Sequence, residues 1–197
     1  MAVFRAFKAL RPTEGKAAAV AALPYDVVNR EEAAAIGKEN PDSFLHVDRA
    51  EMDLPAETDL YDVKVYQKAK ENLHKMEETG VLVQDHKPCY YIYELVRRGK
   101  VQTGIAGCAS IDDYLNNVVK KHELTRSDKE LDRINHVDVC DANTGPIYLA
   151  CRYTDALSAL LEQWKKEHKA AYDFTEEDEI THRVWVIDGD EAISQIQ

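Results

Sequence analysis

Cys89-Tyr90-Tyr91-Ile92-Tyr93-Glu94-Leu95-Val96, then Arg97-Arg98-Gly99-Lys100, then Val101-Gln102-Thr103-Gly104-Ile105-Ala106-Gly107-Cys108-Ala109: this stretch decides the fold. Both flanking runs are rich in β-branched and aromatic residues, and a glycine sits between them where a tight turn needs positive φ. The stretch predicts a β-hairpin and, with it, antiparallel pairing. Tyr90, Tyr91 and Tyr93 point to both faces of such a strand, which favours core packing plus one exposed tyrosine over a base-stacking surface. Gly104 and Gly107 inside the second run mark close approach of another element rather than a ligand surface.

Outward from the hairpin, helices and strands alternate. Asn29 is placed to cap a helix over 30–38, with Glu31 and Glu32 in its first turn, and Asn40-Pro41 closes it. Ser43-Phe44-Leu45-His46-Val47 reads as a strand. Apolar residues from Leu60 to Met76 recur at helical spacing and predict a long helix within 58–79, ended by Gly80. A short strand at 81–83, a turn or short helix at 112–119 and a buried strand at 146–151 follow. Thr154 or Asp155 caps a helix carrying Leu157, Leu161 and Trp164. Strands at 172–174 and 182–187 precede a final helix that begins near Asp190 and stops after two turns without a finishing signal. That ending predicts an N-terminal piece of a longer protein. The expected class is α/β or α+β: one domain or domain fragment over 1–197, with a mixed, largely antiparallel sheet and helices packed against it.

The 25 basic and 36 acidic side chains give a net charge of −11, which disfavours nonspecific binding to a phosphate backbone but leaves room for a local anion site. No apolar run approaches the roughly 20 residues of a membrane span, and the start lacks a secretory h-region. A soluble cytoplasmic protein without membrane partners is expected. Cys89, Cys108, Cys140 and Cys151 form no C-x-x-C pair. Reduced thiols are expected, with Cys89, Cys108 and Cys151 as small core residues.

The densest chemistry lies in Lys120-Lys121-His122-Glu123-Leu124-Thr125-Arg126-Ser127-Asp128-Lys129-Glu130-Leu131-Asp132-Arg133-Ile134-Asn135-His136. Ser127 and Glu130 have capping-box spacing, so a helix is expected to start there. On it Lys129, Asp132, Arg133 and His136 share one side. Cations just ahead of a helix N-terminus suit a phosphate or carboxylate. The competing reading is a solvated charged face. Asp26 and His46 form a second candidate, although a histidine in an apolar strand is more often a satisfied core residue. Asn143-Thr144-Gly145-Pro146 is a turn that offers N–H groups and a hydroxyl to an anion. Phosphate-loop, dinucleotide-fold, hydrolase-elbow and zinc-protease motifs are absent.

Pro24-Tyr25-Asp26-Val27-Val28, Asn40-Pro41-Asp42-Ser43-Phe44-Leu45-His46-Val47, and Lys121-His122-Glu123-Leu124-Thr125-Arg126 with Lys129-Glu130-Leu131-Asp132-Arg133 together resemble the bacterial and archaeal family called domain of unknown function 1015. The likeness spans essentially the whole chain, including Gly145-Pro146 and Arg183-Val184-Trp185. Members are typically about twice as long, with an Asp-Gly-His-His-Arg motif in the second half. Asp188-Gly189-Asp190 is no substitute for it, so the resemblance implies an N-terminal half. The family's motif is similar to boxes of the ParB/sulfiredoxin-like superfamily, which includes kinases of free serine. It therefore implies a phosphotransferase using ATP and Mg²⁺, with free L-serine as the small-molecule substrate. In that reading Lys121, Arg126 and Arg133 contact phosphate, Glu123 is the base or a metal ligand, and His122 orients. Thr125, Lys129, Asp26, Ser43 and His46 complete the substrate-binding set. The alternatives are a noncatalytic ligand- or protein-binding module and, disfavoured by charge, a ParB-like nucleic-acid partner.

Overall fold

A computed structural model describes residues 2–121, 125–152, 154–176 and 178–197. In chain order the strands are β1 (Phe4–Arg5), β2 (Leu10–Pro12), β3 (Leu82–Gln84), β4 (Tyr90–Arg97), β5 (Lys100–Ala106), β6 (Cys108–Ala109), β7 (Tyr172–Thr175) and β8 (Thr181–Ile187). The helices are α1 (Ala17–Val20), α2 (Arg30–Glu39), α3 (Leu45–Asp48), α4 (Val63–Glu78), α5 (Ile111–Leu115), α6 (Ser127–Cys140), α7 (Asp155–Glu167) and α8 (Asp190–Ile196), with a 3₁₀ turn at Ala50–Asp53. None of the described helices is long and apolar enough to cross a membrane. The chain forms two compact units. The first comprises Met1–Ala18, Gln84–Glu123 and Ala150–Gln197; the second comprises Ala19–Val83 and Leu124–Leu149.

The first unit is built on an antiparallel sheet in the order β5-β4-β8-β7. The hairpin forms as its sequence predicts: Arg97 pairs with Lys100, and Arg98 and Gly99 both take positive φ, 49° and 74°. That conformation matches the right-handed twist of the strands it joins. One sheet face presents Tyr90, Ile92, Trp185 and Ile187 to Leu161 of α7. Thr154 caps α7 by accepting from the Leu157 N–H, and Ile193 and Ile196 of α8 pack on the same cluster. On the opposite face the Tyr91 hydroxyl donates to Asp85 at 2.7 Å, while Tyr93 is exposed.

β1 pairs with β6, and Phe4 stacks on Tyr90 with centroids 5.3 Å apart. The Phe4 ring lies against Gly107. A Cβ there would stand 2.5 to 2.9 Å from three ring atoms, whereas one on Gly104 would meet only a carbonyl at 3.9 Å. Gly107→Ala is therefore expected to cost about 1–3 kcal/mol by overpacking, and Gly104→Ala to be tolerated. Thermal unfolding of both variants checks this; equal melting temperatures would contradict the packing role of Gly107.

The second unit is helical. Asn29 and Glu32 form a reciprocal capping box on α2. The Arg30 guanidinium donates to the carbonyls of Glu51, Leu54, Pro55, Ala56 and Thr58, gathering the loop behind the 3₁₀ turn. α4 buries Val65, Tyr66, Ala69, Asn72, Leu73 and Met76; the stripe read from sequence holds from Tyr66 to Met76 but not at Leu60 and Val63, which are exposed, and Gly80 ends the helix at φ 74°.

Four sequence expectations fail. Residues 43–47 turn into the one-turn helix α3. Ser43, Leu45 and Val47 are buried and Phe44 and His46 are not fully so, and this every-other-residue burial imitates a strand because one helical turn is too short to show its own period. Residues 146–151 form no strand; Ile147 and Tyr148 are 79% and 78% exposed, and an apolar run becomes a strand only where a sheet edge accepts it. The capping box at Ser127 does not form, because Arg126 holds the cap position and Ser127 is already helical. Among the cysteines, all unpaired, Cys89 and Cys140 are buried but Cys108 and Cys151 are exposed. Cys108 lies in the two-residue strand β6, and Cys151 follows the exposed residues 146–150.

Candidate active site

Helical spacing of three and four residues puts Lys129, Asp132, Arg133 and His136 on one side of α6, and all four line a cavity in the second unit. Asp48, Arg49 and Glu51 come to it from α3 and the 3₁₀ turn, Tyr61 and Tyr66 from the approach to α4 and its first turn, and Tyr25 from the segment before α2. The cavity holds about 40 Å³.

Its floor carries two groups with opposed tendencies. Burial pushes the Asp48 carboxyl up to about 6, against the bond from Thr144 and the charge of Arg133, which both favour ionisation. Burial, reinforced by Arg133, pushes the His136 imidazole down to about 4. The His136 Nε2 lies 3.9 Å from Asp48 Oδ1 and has no hydrogen-bond partner among the described residues. At neutral pH Asp48 is ionised and His136 uncharged, so the two are not a salt bridge. Their separation is too long for a direct bond, and the Nε2 is closed off from solvent while Asp48 keeps 18% of its side chain exposed.

Above this pair the charges are held by neighbours. The Tyr66 hydroxyl donates to Asp132 Oδ1 at 3.1 Å, and Arg133 donates to Oδ2 at 2.9 and 3.2 Å. The Arg133 guanidinium lies 4.3 Å from the Tyr25 ring centre, a cation–π contact that attracts it to the ring. Lys129 donates to the Tyr61 hydroxyl at 3.4 Å. Arg49 and Glu51 pair at 2.9 Å, but the Glu51 Oε1 is not met by a well-directed hydrogen bond.

Among the residues singled out from sequence, Lys129 and Arg133 line this cavity. His122 and Glu123 lie outside the described residues. Lys121 belongs to the first unit, where its ammonium stands 4.4 Å over the Tyr114 ring. Thr125 is exposed, and Arg126 is exposed and paired with Asp128 at 2.7 Å. Neither lines the cavity, so the pocket lies along the side of α6 rather than at its N-terminus, where exposure leaves cations to pair locally. Asp26 is exposed beside Tyr25, and Ser43 is buried with its hydroxyl accepting from the Leu45 N–H. His46 sits outside the cavity, bonded to Asp53 and facing the Gly37 carbonyl. Sequence reasoning did not single out Asp48, Glu51 or Tyr66 as site residues, and it took Tyr25 only as part of the Pro24-Tyr25-Asp26 stretch. The helical spacing of Asp132 and His136 with Arg133 was a usable signal; Asp48 carried none, because only its burial sets it apart from other aspartates.

The model of one protein family, described as a protein of unknown function and designated DUF1015, matches residues 4–197. No curated protein and no solved structure matches the chain.

Proposed function

We propose, from the premise that this chain belongs to the family of proteins of unknown function DUF1015, that its second unit binds the acceptor of a cytoplasmic small-molecule kinase, and that the acceptor is free L-serine. The observation that carries this reading is Asp48: a carboxyl raised to about 6, facing a cavity beside an uncharged, unpartnered imidazole. A base with a pKa near the working pH is ionised and still avid for a proton. The acceptor hydroxyl donates to Asp48, the more open of the two groups, with the buried His136 ring behind it. In such a transfer the new O–P bond would replace the donor's own P–O bond, whose oxygen keeps the electron pair, and the acceptor's O–H proton would go to Asp48. His136, kept neutral by burial, backs the carboxylate without contributing a charge.

The cavity's electrostatics favour an amino acid. Three carboxylates (Asp48, Glu51, Asp132) face three cations (Arg49, Lys129, Arg133), a balance suited to a zwitterion rather than to a polyanion. Its size admits a few water-sized groups, far short of the roughly 300–1,000 Å³ of pockets that enclose large ligands. ATP and Mg²⁺ do not fit these residues. The cavity is too small for a nucleotide, and no group of three His, Cys, Asp or Glu side chains arranged to hold a metal stands among the described residues. The phosphoryl donor is proposed from the family resemblance alone. A second reading, a noncatalytic amino-acid-binding module, is favoured by the pairing of Arg133 with Asp132 and Arg49 with Glu51, which holds the cations in place without any reaction.

The test is calorimetric titration with L-serine, joined to mass-spectrometric detection of O-phosphoserine after incubation with ATP and Mg²⁺. Saturable binding weakened at least about tenfold by Arg133→Gln, with product formed by the wild type, is the expected result. Binding without product selects the noncatalytic module, and absence of binding overturns both readings.

A further inference from the structure

His46 lies outside the cavity, yet it is bound more completely than a neutral imidazole allows. Its Nδ1 stands 2.9 and 3.1 Å from the two carboxylate oxygens of Asp53, and its Nε2 stands 3.3 Å from the Gly37 carbonyl oxygen. Both ring nitrogens face acceptors. A neutral imidazole has one N–H and satisfies only one of them; the imidazolium satisfies both. Asn72 of α4 closes the arrangement, its Nδ2 donating to the His46 carbonyl at 2.6 Å and to Asp53 Oδ2 at 2.8 Å. α2 approaches with bare backbone at this point: a Cβ on Gly37 would stand 3.1 Å from the His46 ring and 2.5 Å from Met52 Cε.

His46 and Asp53 are thus tied to each other, to α2 and to α4. Between them in sequence lie Asp48, Arg49, Ala50 and Glu51, which form one wall of the cavity. We propose that His46, as an imidazolium, is a positioning residue: its clasp on Asp53 and Gly37 sets the 48–51 wall, so that the site needs His46 protonated while its chemistry needs Asp48 ionised. The second half rests on the acceptor-site reading; the clasp itself does not.

The charged groups facing the ring are Asp53 on the 3₁₀ turn and Lys75 on α4, with Lys68 of α4 acting on Asp53. The bond to Asp53 raises the His46 pKa most; burial and Lys75 oppose it, and the Gly37 carbonyl adds to it. The sign follows. Stabilisation by the clasp is full below the unfolded histidine value and is lost as pH rises through the higher folded one. Asp48 ionises from about 6 upward, so acceptor turnover is expected to follow a bell-shaped pH profile bounded by Asp48 on the acid side and His46 on the alkaline side.

The experiment is an NMR titration of the full chain carrying Asp48→Asn, which removes Asp48's own titration. The His46 ring nitrogens and the amides of Arg49, Ala50 and Glu51 are followed as pH rises. The expected result is one shared midpoint, moved down by adding Asp53→Asn. In the otherwise wild-type chain, Asp53→Asn is also expected to weaken L-serine binding several-fold at neutral pH. Amides that stay still while His46 titrates overturn the proposal. A wild type that fails to bind L-serine, yet shows the shared midpoint, sinks the acceptor reading and leaves the clasp standing.

Discussion

The Asp48→Asn protein is expected to turn over L-serine about 10²–10⁴-fold more slowly than the wild type while remaining the more stable of the two near neutral pH. Asparagine keeps the shape of the side chain and can still accept from Thr144, so binding survives; it cannot take the acceptor's proton. The gain in stability has a separate origin. Asp48 is raised by burial to about 6 from an ordinary 3.8. Above pH 6 the folded state keeps an ionised carboxylate that the unfolded chain would solvate better, a cost of up to about 3 kcal/mol. Between the two values the folded state binds the extra proton, so this cost fades as pH falls and is gone by about pH 4. The variant's advantage should follow the same course.

His136 opposes this trend in the wild type. Its folded pKa is depressed to about 4, so the unfolded chain takes up a proton first and stability declines as pH falls below the ordinary histidine value. The two slopes nearly cancel in the wild type from about pH 6 to 4, and Asp48→Asn exposes the His136 slope alone. Urea unfolding across pH, read at amides of α6, measures the difference between the two proteins. A variant less stable than the wild type at neutral pH would show that Asp48 is not held against its solvation preference, and the base assignment would fall with it.

Glu94→Ala is expected to destabilise the first unit by about 3–5 kcal/mol, with no such loss in the second. Glu94 is 6% exposed, yet its carboxylate accepts from Lys165 of α7 at 2.9 Å and from Arg183 of β8 at 3.3 Å. Burial alone would raise its pKa. The bonds and charges of Lys165 and Arg183 together outweigh burial and hold it below the usual carboxylate range. Its contribution is therefore present above the unfolded glutamate value and lost as pH falls through the lowered folded one. Removing the carboxylate leaves the Lys165 ammonium, 13% exposed, with Glu162 as its one ion-pair partner among the described residues. Adding Lys165→Met should restore most of the loss, since an apolar side chain of similar length tolerates the site. Thermal and urea unfolding of the single and double variants measure both steps; additive losses would contradict the coupling.

The elements legible in the sequence are those whose signals are local. The hairpin at 90–106 follows from two strand-forming runs and the φ that Gly99 permits. α2 follows from Asn29 with Glu32, α4 from a stripe that recurs from Tyr66 to Met76, and α7 from Thr154. α3 was misread because a single turn shows no period, and residues 146–151 because apolar character does not say whether a partner strand exists. The side of α6 that lines the cavity was legible for the same reason as α4: Lys129, Asp132, Arg133 and His136 lie on one helical face whatever surrounds them.

By itself the sequence determined the hairpin, most of the helices, the net negative charge and which α6 residues share a side, because each depends on neighbours within a few positions along the chain. Tertiary structure decided that Asp48 and His136, far apart in sequence, meet in a buried place that raises one pKa and lowers the other, and that His46 is clasped on both ring nitrogens. Burial is a property of everything packed around a group, and the energy of a charge depends on that surrounding rather than on the residue's name.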